Sequence, residues 1–128
     1  MTYIDSSVAL AYLLAEPRSP AVGFWDSQLV ASRLLEYEMW TRLYARQVTE
    51  QRRGEARMLL AGIQMMELSK PVLARALEPW PAPIRTLDAL HLATADYLRR
   101  HGEAVELASY DDRLLAGARA LGIPLAAL

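Results

Sequence analysis

The chain has 128 residues, 53% hydrophobic and 23% charged, a composition that excludes a disordered chain and leaves enough apolar side chains for one buried core in a single domain, 1–128. Its 14 basic and 15 acidic residues give a formal net charge of -1, so no excess positive charge advertises a nucleic-acid partner, although a local patch fits inside a neutral total. Cysteine is absent, which removes disulfides, thiolate zinc sites and thiol nucleophiles; with no signal peptide before Asp5 and no apolar run long enough for a bilayer, a cytoplasmic protein is expected.

"TYID" reads as a brief strand, and Ser6 or Ser7 is placed to cap the helix "VALAYLLAE", which Pro17 stops. "SPAVGFWDSQ" is a short helix with Pro20 near its first turn, and "LVAS" is a small strand. From Ser32, as N-cap, a long helix runs through "RLLEYEMWTRLYARQVTEQR" until Gly54 breaks it, and "EARMLLAGIQMM" resumes as another helix. "MELS" is a candidate edge strand before Pro71, which suits the first turn of "PVLARALEPW". "PWPAP" is the strongest loop signal.

Beyond that loop, "TLDALHLATADYLRRHG" carries a capping Thr86, apolar residues spaced by three and four, basic residues in its last turn and a terminal Gly102. "AVELASY" is a strand, "DDRLLAGARALG" a helix closed by Gly122, and "IPLAAL" a final strand or tail. Short strands separated by helices predict an α/β sandwich with a mainly parallel sheet.

In such a sheet, ligand sites lie outside the carboxyl ends of the strands. Asp5 ends the first strand, and Asp111 follows "VELAS" in the same relation. Asp88 falls in the first turn after Thr86, and Glu38 lies on an otherwise apolar stripe with Leu34, Leu35 and Met39. Taken singly, each has a plain explanation: Asp5 and Asp111 as helix caps, Asp88 as a complement to the helix dipole, Glu38 as half of an ion pair with Arg42. Taken together they suit a hard divalent cation, because gathered carboxylates repel and Mg²⁺ or Mn²⁺ prefers oxygen ligands.

Four blocks, "YIDSSVALAYLL", "SRLLEYEMWTR", "TLDALHLATA" and "SYDDRLLAGARALGIPL", resemble in this order the signature blocks of the PIN domain, most closely the VapC-type toxins of type II toxin–antitoxin pairs. The resemblance covers nearly the whole chain, with "LDALHLATA" its most specific block. It implies a three-layer α/β/α sandwich with a short central sheet, and an Mg²⁺- or Mn²⁺-dependent ribonuclease that hydrolyses RNA phosphodiester bonds. A cognate antitoxin and a homodimer follow from the same resemblance.

The family's acids match Asp5, Glu38, Asp88 and Asp111, as catalytic residues and metal ligands. Glu36 competes with Glu38 and Asp112 with Asp111; the interval from Ser32 favours Glu38, and the pattern of strand, small hydroxyl and Asp favours Asp111 behind Ser109. Ser7 and Ser109 are candidates to support an acid or the phosphate, and Arg42, Arg46, Arg85 and Arg113 to meet RNA backbone, each with solvated surface as the plainer explanation.

His91, one turn beyond Asp88, is expected to be packed and hydrogen-bonded rather than a ligand, and His101 to meet carbonyls at a helix end. The 5 Met and 3 Trp suit core, a dimer face and an antitoxin surface. Haloacid-dehalogenase phosphatases require a second Asp where Ser7 stands, and receiver domains a late strand-end lysine, whereas the one lysine here is Lys70. The remaining alternative is a PIN fold of weak catalysis that serves as a binding or scaffold protein.

Overall fold

A computed structural model describes all 128 residues. Four short strands, β1 (Thr2–Ile4), β2 (Leu29–Ser32), β3 (Ile63–Met66) and β4 (Glu106–Ala108), form one sheet in the order β3-β2-β1-β4. Every pairing is parallel, with Thr2 opposite both Leu29 and Glu106, and Leu29 opposite Ile63. The helices are α1 (Ser6–Leu13), α2 (Leu34–Ala45), α3 (Thr49–Ala61), α4 (Lys70–Ala76), α5 (Thr86–Arg100) and α6 (Asp112–Ala120). A 3₁₀ turn, Val22–Asp26, precedes β2.

Side chains alternate across a strand, so each strand feeds two cores. Ile4, Leu29, Ala31 and Ile63 pack with Leu35, Met39 and Leu43 of α2, Val8 and Leu13 of α1, and Ala56 of α3. Tyr3, Val30 and Leu107 pack on the opposite face with Leu92, Ala95 and Leu98 of α5 and Leu114 and Ala118 of α6. The result is the expected α/β/α sandwich, its four strands wholly parallel. Gly117 lets α6 approach α5 closely, since a Cβ there would lie 2.7 Å from Leu92 Cδ1 and 3.0 Å from Ile84 Cδ1.

Several expected boundaries move. The first helix begins at Ser6, so neither serine caps it; Asp5 holds the N-cap position and its side chain makes no capping bond. Thr86 is the first residue of α5 rather than its cap, which falls at Arg85. The segment before β2 is a 3₁₀ turn and not a regular helix.

The long helix breaks at Gln47, whose φ is +57°, and α3 then runs straight through Gly54. Open space surrounds Gly54, so the helix loses only the ~1 kcal/mol of propensity that glycine costs relative to alanine. The third strand is "IQMM" rather than "MELS": Met66 ends it, and Glu67 turns to Arg33 at 2.6 Å, joining the ends of β3 and β2. Ser32 ends β2, and its Oγ accepts the Leu34 N–H at 3.1 Å, so it serves the start of α2 from one residue before the N-cap Arg33. The tail contributes one parallel bridge, Leu107 with Leu125.

Candidate active site

The strand order reverses beside β1: the chain moves outward to β2 and β3, then crosses back to place β4 on the other flank. The carboxyl ends of β1 and β4 lie side by side where these connections diverge, the position at which open parallel sheets hold ligands. Asp5 follows β1, and Ser109 and Asp111 follow β4. A cleft of about 450 Å³ opens there.

Asp5, Glu38, Asp88 and Asp111 all line this cleft. So do Ser7, Arg42, Arg85 and Arg113, with His91 at its floor. Arg46 is not among the lining residues; it caps the far end of α2 and is exposed. Glu36 turns to Arg33 at 3.2 Å, whereas Glu38 enters the cleft. Asp112 opens α6 as an exposed residue, whereas Asp111 lines the cleft.

Asp5 is 4% exposed, and burial pushes its carboxyl above the ordinary value against the pull of Ser7, His91 and Ser109. Ser7 Oγ donates to Asp5 Oδ1 at 2.6 Å and accepts the Tyr110 N–H at 2.9 Å. The Ser7 and Ser109 hydroxyl oxygens lie 3.3 Å apart. Ser109 Oγ also accepts the Asp111 N–H at 2.9 Å. Both serines thus tie the ends of β1 and β4 together beneath the acids.

Asp111 does cap α6, accepting from the N–H groups of Arg113 (2.9 Å) and Leu114 (3.4 Å), but both bonds use Oδ1. Capping therefore occupies one carboxylate oxygen. Asp88 does not behave as a simple dipole complement: burial and then the Asp111 carboxylate push it up, against Arg113, His91 and Arg85. Glu38 pairs with His91 Nε2 at 2.6 Å rather than with Arg42. Its oxygen Oε1 makes that single bond.

The four acids face one space without closing around a point; no group of three His, Asp or Glu side chains is drawn tightly enough to hold a metal ion. Their chemistry nevertheless fits a hard divalent cation. The donors are all carboxylate oxygens, and burial, with the neighbouring Glu38 and Asp111 carboxylates adding to it, holds Asp5 and Asp88 above their ordinary values.

Beneath these acids lies Tyr3, which no motif in the sequence singles out. Its hydroxyl lies 2.7 Å from His91 Nδ1. The available signal was a phenol inside a buried strand, which needs a partner for its polar end. His91 itself is packed and hydrogen-bonded as expected, and His101 Nδ1 meets the Tyr97 carbonyl at 2.7 Å.

A parallel sheet in this order, with acids converging at the adjacent carboxyl ends of β1 and β4, is the architecture of a PIN domain. Residues 2–120 match the PIN domain family, and the chain belongs to it. Among its relatives, Ribonuclease VapC47 of Mycobacterium tuberculosis is 33% identical over 128 residues, covering 95% of this chain and 93% of that protein. Ribonuclease VapC46 of the same species is 34% identical over 128 residues, covering 98% and 95%.

Solved structures share the fold. A toxin–antitoxin complex from Klebsiella pneumoniae superposes with a TM-score of 0.68 at 19% identity, covering 94% of each chain. VapC20 of Mycobacterium tuberculosis, described as a sarcin–ricin-loop-cleaving toxin, gives 0.65 at 17% identity over 91% of this chain and 94% of that one.

Proposed function

We propose that this chain is a metal-dependent endoribonuclease of the VapC kind, the toxin of a toxin–antitoxin pair, which hydrolyses RNA phosphodiester bonds. The observation that carries the reading is the meeting of Asp5 and Asp111, from adjacent strand ends, with Glu38 and Asp88 in one cleft. Relatives named as ribonucleases, a third identical over nearly the whole chain, support it.

Asp5, Glu38, Asp88 and Asp111 would hold Mg²⁺ or Mn²⁺, which supplies positive charge against the phosphate and lowers the pKa of water. The chain's own residues do the rest. Arg42, Arg85 and Arg113 line the cleft and attract the phosphates on either side of the scissile bond, with Arg46 further along α2. This local positive field answers the net charge of -1. Glu38, with Oε1 held by His91, keeps its second oxygen for the attacking water. Ser7 and Ser109 hold Asp5 and the Asp111 backbone in register so that the acids do not swing apart.

The partner reading rests on a second, apolar groove formed by Tyr12, Val22, Trp25, Met58 and Leu59. Val22 is 88% exposed and Met58 78%, an apolar surface suited to a segment of the cognate antitoxin. Exposed Tyr37 and Tyr44 on α2 suit a second copy of the chain in a homodimer. No helix is long and apolar enough to cross a membrane, and the reading places the protein with its RNA in the cytoplasm.

The test is incubation of a mixed structured-RNA pool with purified, antitoxin-free protein in Mg²⁺, Mn²⁺ or EDTA, beside Asp5→Asn as contamination control. Discrete fragments with metal, absent with EDTA and in the variant, are expected. Intact RNA under every condition would favour the binding or scaffold alternative.

A further inference from the structure

We infer that His91, anchored by Tyr3, is a positioning residue for Glu38: its Nε2–H holds one carboxylate oxygen and so aims the other into the cleft. The inference rests on the reading of Glu38 as part of the acidic centre.

Tyr3 lies in a central strand and is fully buried among Val30, Leu92 and Leu107. Its hydroxyl accepts the Ser32 N–H at 3.2 Å and meets His91 Nδ1 at 2.7 Å. Thr94, beside the same phenol, gives its own proton to the Leu90 carbonyl at 2.8 Å. The Tyr3 and His91 rings stand edge to face, 6.0 Å apart at 75°. His91 is 3% exposed, and its other nitrogen is 2.6 Å from Glu38 Oε1.

A carboxylate only accepts hydrogen bonds, so the proton between His91 and Glu38 sits on Nε2. In the neutral ring Nδ1 is then bare, and the Tyr3 hydroxyl is the donor that satisfies it. With both nitrogens engaged and the ring buried, His91 cannot turn without breaking two hydrogen bonds. The chain Ser32 backbone, Tyr3, His91, Glu38 therefore links the rigid sheet to a side chain carried on α2. Oxygen ligands held by an outer hydrogen bond lose fewer orientations when they bind a cation.

Two substitutions divide the two ring nitrogens. His91→Gln places an amide donor near the Nε2 position and can keep Glu38, while His91→Asn places an amide oxygen near Nδ1 and keeps only Tyr3. Mn²⁺ affinity by calorimetry, kcat and KM on a cleaved RNA, and thermal melting are measured for both, beside Glu38→Gln. His91→Asn is expected to lose on the order of 10- to 100-fold in Mn²⁺ affinity and kcat with KM unchanged, and His91→Gln to stay within a few-fold of wild type.

Equal behaviour of the two variants, whether both like wild type or both impaired in step with a lowered melting temperature, would overturn the positioning role. Wild-type Mn²⁺ affinity and cleavage in Glu38→Gln would instead sink the underlying site reading. Nitrogen-15 NMR of the wild-type protein does not depend on any variant folding: an Nε2-bound proton on His91 is expected, and a bare Nε2 would overturn the inference.

Discussion

Asp5 shows how one residue is caught between stability and chemistry. It occupies the N-cap position of α1, where aspartate commonly accepts backbone N–H groups, yet it makes no such bond and stays buried beside Glu38 and Ser7. Burying an incompletely compensated carboxylate destabilises the fold. Asp5→Asn keeps an acceptor for the Ser7 hydroxyl and removes the charge. The metal-free variant is therefore expected to melt several degrees above metal-free wild type while losing RNA cleavage. Added Mn²⁺ should raise the melting temperature of wild type and leave the variant unmoved, because a ligand stabilises only the state that binds it. Differential scanning fluorimetry reads both, and a lower-melting variant would contradict the claim of a strained charge. The acids were legible because Asp5 and Asp111 stand at strand ends, Asp88 in a first helical turn and Glu38 on an otherwise apolar helix stripe. Tyr3 was not, since its role depends on His91, 88 residues away in the chain.

Among the elements, those bounded by strong local signals stand where the sequence places them. "LVAS" is β2 without adjustment, and Gly102 (φ +91°) and Gly122 (φ +69°) follow the ends of α5 and α6 in the left-handed region that favours glycine. The misplacements have a common cause. Gln47 adopts a left-handed φ with no glycine to announce it, while Gly54 sits harmlessly on a solvent-facing turn of α3. "IQMM" has the apolar density of a helix face, and only its pairing beside β2 makes it a strand.

A tertiary ion network likewise anchors α4 to α5. Arg75, 6% exposed, donates from Nε to Asp96 at 2.7 Å, Arg100 joins at 3.1 Å, and Trp80 covers the Arg75 guanidinium at 4.2 Å. Arg75 Nη1 has no partner, so the arginine already carries one unmet donor. Asp96→Ala leaves it without its buried counter-charge, and a loss of about 3–5 kcal/mol is expected by urea unfolding. A loss under ~1 kcal/mol, the scale of a surface ion pair, would show that α4 is held by packing alone.

At the scale of the whole molecule, the order β3-β2-β1-β4 places two strand ends together, and α2 and α5 bring Glu38 and Asp88 over them. Fold and site are the same fact seen at two sizes: a sheet whose connections diverge beside β1 leaves a crevice there, and acids fill it. The most direct measurement is an anomalous difference map from crystals grown with Mn²⁺. A peak is expected within coordinating distance of Asp5 and at least two of Glu38, Asp88 and Asp111. An empty cleft at saturating Mn²⁺, or a peak bound only elsewhere on the surface, would contradict that expectation.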